Sequence, residues 1–376
     1  MAEADQEVQI AAAGDEATDD GLSEISAVAS SSTSVSSSLL EYRIENGRTY
    51  HRYKDGKYSW PNDEREAERL DMLHEIWIYT LDDRLGLAPP CDPNAKVGRV
   101  LDVGTGTGIW ALDFGEEHPE AEVSRPDDKL VMFLLWEIRP THLMFKQVLG
   151  VDLSHTLPTF TLPNVAFEID DLEEDWTYSK PFDYIHSRLL TSAVSDWKIY
   201  LTKCFENLTP GGWLELQEAD VWPFSDDNTF PKDSAFARMA ILLKEAAAKM
   251  GRPWFDLPSL KTMMLEVGFV DVRLKLHKWP INDWPNDQRY KNIGTWTYDN
   301  VTNGLEAMVM APYTRALEWT RNEVNIFLID VRKDLKNRHF HAYYPVYVIT
   351  GRKPEKEATP APPTAAAATE PATATE

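Results

Sequence analysis

The chain has 376 residues, 43% of them hydrophobic, enough for one large or two ordinary domains with a real core. Its formal net charge of −23 and isoelectric point near 4.8 argue against a nucleic-acid backbone or an anionic membrane as the main partner. Cys91 and Cys204 stand far apart, in neither a metal-ligand nor a redox spacing, so no disulfide framework and no metal are expected and the compartment reads as reducing.

Residues 1–40, which carry a serine tract at 30–38, and residues 354–376, built from Ala, Pro, Thr and Glu, are expected to be disordered tails. The first tail lacks Lys, Arg and any apolar run, so it is no secretory or mitochondrial leader, and no segment reaches membrane-spanning length. A cytoplasmic or nuclear location follows. The folded unit is expected over residues 41–353. Within it, residues 62–81 read as a helix with Asn62 or Asp63 as cap and an apolar stripe of Leu70, Leu73, Ile76, Trp77 and Tyr79. Residues 97–103 form a short apolar strand that runs into glycines, and 108–117 read as the helix that follows. Further strands are expected at 149–152, 165–170, 182–186, 212–218, 270–277 and 344–351. Helices are expected at 198–207, 234–250 and 257–267, with Gly251 and Gly268 as stop signals. Strands and helices alternate, which predicts an α/β fold with a mostly parallel twisted sheet and helices on both faces.

The run VLDVGTGTG at 100–108 places Asp102 at a strand end, two residues before Gly104, with Gly106 and Gly108 behind it. Glycines at those positions let backbone approach a ligand closely. Gly106, Gly108 and Ala111 also satisfy a dinucleotide pattern, but a carboxylate beside the loop repels a pyrophosphate. It suits the positively charged ammonium and sulfonium end of S-adenosylmethionine. A second acid is needed at the end of the next strand for the ribose hydroxyls, and Asp152 supplies it. Such an acid normally falls about 20 residues on, whereas Asp152 lies 44 beyond Gly108. Asp127 is nearer that count but follows Pro126 in a charged stretch unsuited to a central strand. A third contact is expected after the strand at 165–170, where Asp170 or Asp171 accepts from the adenine amino group and Leu172 lies against the ring.

These motifs, together with NGRTY at 46–50, PNDERE at 61–66, RLDMLH at 69–74, FDYIHSR at 182–188, LTPGGWLELQE at 208–218, GFVDV at 268–272 and HAYYP at 341–345, make the chain resemble the fungal LaeA-like (TAM-domain) methyltransferases over about residues 41–353. The resemblance implies a class I, Rossmann-like methyltransferase fold and S-adenosylmethionine as cofactor. It further implies methylation of a small molecule, a secondary metabolite. The alternative it carries is a LaeA-like regulator of secondary metabolism that acts through protein partners. The family's pattern would run the Ala-Glu-Val at 121–123 directly into Leu149. Residues 124–148 intervene, and with an apolar run at 129–138 they read as a retained intron splitting a strand.

Methyl transfer is an in-line displacement in which positioning does most of the work. A base helps when the acceptor is a hydroxyl, and His186 is the candidate, with Arg188, Glu218 and Asp220 also near strand ends. Tyr50, Tyr53, Tyr58 and Trp60 are candidate aromatic walls beside the 62–81 helix. The stretch at about 279–313, with Trp279, Trp284, Trp296, Met308 and Met310, is expected to form a helical cap insertion over an apolar acceptor. His341, Tyr343 and Tyr344 read as packing.

Overall fold

The computed structural model describes residues 42–52, 54, 56–119, 148–153 and 161–355. The expected tails apart from Pro354 and Glu355, all but the last residue of the 124–148 segment, Asp127 and Tyr53 fall outside these. The first element was not anticipated: β1 (Tyr42–Glu45) and β2 (Arg48–His51) form an antiparallel hairpin. Its turn is Asn46-Gly47, with φ of 52° and 84°, the left-handed pair whose twist matches that of a two-residue hairpin. The helix α1 (Glu64–Thr80) follows, and of the two cap candidates Asp63 does the work by accepting from the Glu66 amide at 3.1 Å.

The main sheet begins with β3 (Val100–Val103), which turns through the glycine loop into α2 (Ile109–Glu117). Next come β4 (Val148–Asp152), β5 (Val165–Ile169), β6 (Phe182–Arg188), α3 (Trp197–Asn207) and β7 (Leu208–Ala219). Then follow α4 (Ala235–Lys249), α5 (Leu260–Val267) and β8 (Val270–Pro280). The expected helix at 257–267 is a 3-10 turn, Leu257–Ser259, opening into α5, and α5 stops at left-handed Gly268 as the sequence indicated.

The strands lie in the order β5-β4-β3-β6-β7-β9-β8, where β9 (Tyr343–Arg352) is the last. Pairing is parallel from β5 through β7, and β9 runs antiparallel to both neighbours. The chain winds outward from β3 to β5 and then returns to the other side of β3 with β6. The crevice between β3 and β6, at the strands' carboxyl ends, is therefore the topological switch point where such sheets hold ligands.

Of the segment at 124–148 only Val148 is among the described residues: it is the first residue of β4, hydrogen-bonded and buried, and the strand is continuous from there to Asp152.

The cap also differs from expectation. Trp279 belongs to β8, opposite Tyr344. Beyond it runs a single helix α6 (Gln288–Ala316) and then α7 (Arg321–Lys336), which was not expected and opens with a Thr320/Glu323 capping box. Buried residues of α1, α4, α6 and α7 share one apolar core on this side, including Trp77, Phe236, Met310, Tyr313 and Leu328. A second core lies between the sheet and α3 and α5. A third lies under α2.

Candidate active site

The glycine loop is pinned to the end of β4. Gly104 and Thr105 both donate their amides to the Val151 carbonyl, at 2.8 and 3.0 Å, and the Gly106 amide donates to Asp152 Oδ2 at 2.9 Å. Gly104, Gly106 and Gly108 have φ of 72°, 59° and 80°. A Cβ on Gly104 would also sit 2.6 Å from Leu190 Cδ2, so shape and dihedral both demand glycine there. Gly104, Thr105, Gly106, Val151, Asp152 and Leu190 border a cavity of about 1080 Å³ that opens to solvent, whereas Gly108 is not on its border and caps α2.

The cavity crosses four strand ends in sheet order. Asp170, Asp171 and Leu172 follow β5, Asp152 ends β4, Asp102 lies in β3, and His186 and Arg188 lie in β6. Asp102 is 2% exposed and already bonded: its Oδ2 accepts from the Thr105 hydroxyl at 2.6 Å and its Oδ1 meets His186 Nδ1 at 2.7 Å. Its charge faces the cavity through these partners. The two acids after β5 part company. Asp171 accepts from the Glu173 amide at 3.0 Å through Oδ1 and is paired with Lys57 through Oδ2. Asp170 spends Oδ1 on the Asp171 amide at 2.8 Å. Next to them, burial would raise the Glu173 carboxyl, but hydrogen bonds from Arg252 and Ser195 hold it down at about 2.

His186 is wholly buried. Its ring stacks on Trp110 at 3.8 Å between centroids, and its Nε2 has no hydrogen-bond partner among the described residues. The structure places it under the first cavity and does not bring it to the second one described below. Arg188 donates through Nε to Gln217 Oε1 at 2.9 Å and through Nη1 to His74 Nδ1 at 3.0 Å. His74 in turn meets Asp113 Oδ2 at 2.8 Å through Nε2. Burial lowers the Arg188 pKa to about 10.

A second cavity, of about 1280 Å³, adjoins the first. Lys57, Tyr58, Leu70, Leu73, Leu189 and Arg252 border both. Its own walls are largely apolar: Trp60, Ile76, Val221, Leu243, Met250, Trp254, Trp279, Met308 and Pro312. Two buried hydroxyls on it, Thr297 Oγ1 and Tyr344 OH, have no partner among the described residues. Its one carboxylate, Asp220, has its pKa raised by burial despite the Trp222 amide at 2.9 Å and Lys244 at 3.9 Å.

A family model described as a methyltransferase domain matches residues 74–274. The methyltransferase pytC of Aspergillus terreus is 39% identical over 325 residues, covering 86% of this chain and 92% of that one. The secondary metabolism regulator LAE1 of Cochliobolus heterostrophus is 34% identical over 318 residues, covering 83% and 95%. The chain belongs to the LaeA-like methyltransferases. A solved cyclopropane synthase, MmaA2 from Mycobacterium tuberculosis, aligns at 17% identity and a TM-score of 0.41, covering 79% of this chain and 90% of that one.

This LaeA-like protein is thus a methyltransferase, and its donor is S-adenosylmethionine. The residues fit that group: a glycine cradle where a Cβ at Gly104 would crowd Leu190, and acids at three successive strand ends, Asp170 and Asp171 after β5, Asp152 on β4 and Asp102 on β3. Sequence reasoning found the loop and the acids. It assigned no role to Lys57, His74 or Arg252, although an acid cluster at 170–175 needs counter-ions once it is partly buried. Of the candidate aromatic walls, Tyr58 and Trp60 border the second cavity. Tyr50 is buried beneath Arg315 instead. Met308 lines that cavity, whereas Trp296 packs edge-on against Tyr79 at 4.9 Å. Glu218 lines neither cavity; it anchors the Leu190 and Thr191 amides. No helix among the described residues is long and apolar enough to cross a membrane.

Proposed function

We propose that the chain transfers a methyl group to a small, largely apolar and partly aromatic molecule, a secondary metabolite, bound in the second cavity. The observation that carries this reading is the shared border: Tyr58, Leu70, Leu73 and Leu189 line both an apolar chamber and the glycine-loop cavity, so the two adjoin. Two reactants held where the cavities adjoin meet with their orientation fixed, the main source of rate in an in-line displacement.

S-adenosylmethionine, when bound, supplies the methyl group carried on its sulfonium. Asp152 holds the ribose hydroxyls. Asp170 takes the adenine amino group in preference to Asp171, whose two oxygens serve Lys57 and the Glu173 amide. Leu172 lies against the ring, and Asp102, stiffened by Thr105 and His186, supplies negative charge near the amino-acid end. His186 is then a positioning residue for Asp102. Where the acceptor is a hydroxyl or amine, Asp220 is the group placed to take its proton, since it lines the acceptor's own chamber. The unpartnered Thr297 and Tyr344 hydroxyls provide the polar handles that orient an otherwise apolar ligand.

Metabolite profiling of a strain lacking the gene tests this. Accumulation of one unmethylated precursor, converted by the purified protein with S-adenosylmethionine, is the expected result. Loss of many unrelated products with no such precursor would overturn it and favour the second reading, a regulator acting through protein partners, which the likeness to LAE1 keeps in view.

A further inference from the structure

Three cationic side chains border the glycine-loop cavity: Lys57, Arg188 and Arg252. Two are neutralised locally, Lys57 by Asp171 and Arg252 by a two-pronged pair with Glu173. Arg188 is different. Among the described residues no carboxylate forms an ion pair with it: its hydrogen-bond partners are Gln217 and His74, and Asp102, Glu215 and Asp113 act on it only from farther off. The indole of Trp77 lies 5.4 Å from its guanidinium carbon. Its remaining nitrogen, Nη2, is buried and has no hydrogen-bond partner among the described residues. A guanidinium taken out of water with no carboxylate in contact is costly, and a planar fork with a free prong is the geometry that receives a carboxylate.

The sheet order says which anion arrives. Adenine and ribose contacts belong to β5 and β4, so a ligand laid along the strand ends brings its next groups to β3 and then to β6. Adjacent strands are roughly 4.8 Å apart, which puts Arg188 on the strand reached by the amino-acid end of S-adenosylmethionine. That end carries one carboxylate. Resting on the cofactor reading above, we propose that Arg188 binds the α-carboxylate of the cofactor's methionine moiety. Gln217 and the His74–Asp113 pair hold the fork in place. Arg188 is thus a cofactor-binding residue that discriminates the intact amino-acid tail, with the acceptor chamber left to other groups.

Calorimetry on the full chain tests this with two ligands, S-adenosylhomocysteine and its decarboxylated analogue S-adenosyl-3-thiopropylamine, which keeps the amine and lacks the carboxylate. Wild type should prefer S-adenosylhomocysteine by about 10- to 100-fold, the scale of a hydrogen bond to a charged group. In Arg188→Gln the preference should collapse to within a few-fold, with affinity for the decarboxylated analogue nearly unchanged. A merely structural role would weaken both ligands alike and leave the preference intact, which would overturn the proposal. The wild-type measurement decides even where the variant fails to fold: equal affinity for the two ligands excludes a carboxylate contact at this site. Binding of neither ligand to wild type would instead bring down the cofactor reading, and this proposal with it.

Discussion

Asp152 shows how a single side chain serves fold and ligand together. Its Oδ2 receives the Gly106 amide, tying the loop to β4, while the carboxylate borders the cavity where a ribose is expected. Asp152→Ala should therefore weaken S-adenosylhomocysteine binding by about 1–3 kcal/mol, the range for losing hydrogen bonds to a charged acceptor, as read by calorimetry. Asp127→Ala should change little; a reversed pattern would mean that the ribose lies elsewhere. Glu218 makes a different prediction. Burial lifts its carboxyl from 4.5 to about 7, against the pull of the Thr191 hydroxyl and the Leu190 and Thr191 amides. The folded state then holds this proton more tightly than the unfolded chain, so stability falls as pH rises from about 4.5 to about 7. The effect is on the order of 3 kcal/mol. Thermal unfolding of Glu218→Gln across that window should show a flatter slope than wild type; an identical slope would remove Glu218 as its cause. Asp102 and Asp152 were legible in the sequence because strand, glycine and acid come in a fixed local order. The Lys57–Asp171 pair was not, since its members stand 114 residues apart. Only the fold decides that both Asp171 oxygens are engaged while Asp170 gives one to the Asp171 amide.

Among the elements, α6 governs the acceptor side. It packs between α1, α4 and α7, and buried residues such as Ile293, Asn300, Leu305 and Met310 occur around much of its circumference. That explains why the sequence shows an aromatic and methionine-rich stretch there but no clean amphipathic stripe. Two of its side chains separate the roles. Met308→Ala should raise the acceptor KM while S-adenosylhomocysteine affinity stays at the wild-type level, because Met308 faces only the second cavity. Trp296→Ala should lower the melting temperature through the lost contact with Tyr79 and leave that KM in place. Steady-state kinetics beside thermal unfolding distinguishes them, and an unchanged KM in Met308→Ala would put the acceptor elsewhere. Two missed elements did carry local signals. Asn46-Gly47 is the turn dipeptide of the β1–β2 hairpin, and Thr320 with Glu323 three residues on is the box that opens α7. The alternating core elements were readable because apolar period and stop residues agree there, as at Gly251 and Gly268.

At the scale of the whole molecule, α2 and β4 are already brought together without the residues between them. Asn164 Nδ2 donates to the Gly115 and His118 carbonyls at 2.8 and 3.1 Å, and the Asn164 carbonyl accepts from the Val148 amide at 3.0 Å. One side chain and its own backbone thus bracket the end of the helix and the start of the strand. Residues 118–123 alone would span that gap, since connections of about 2–6 residues are usual between helix and strand in α/β units. A chain lacking residues 124–147 should therefore melt no lower than the full chain and bind S-adenosylhomocysteine at least as tightly. Loss of binding in a folded deletion would make the segment part of the site, and the transcript shows independently whether it is encoded. The two cavities have a different consequence. Most of the glycine-loop cavity is lined by residues 102–110, 151–153, 170–173 and 186–190, whereas much of the second, proposed acceptor chamber is built by residues 219–344. Inheritance can then act on the halves at unequal rates. Substitutions late in the chain re-cut the chamber for a new product, or close it altogether, without loosening the grip on the methyl donor, so one ancestral fold can seed lineages of catalysts and lineages that keep only the frame.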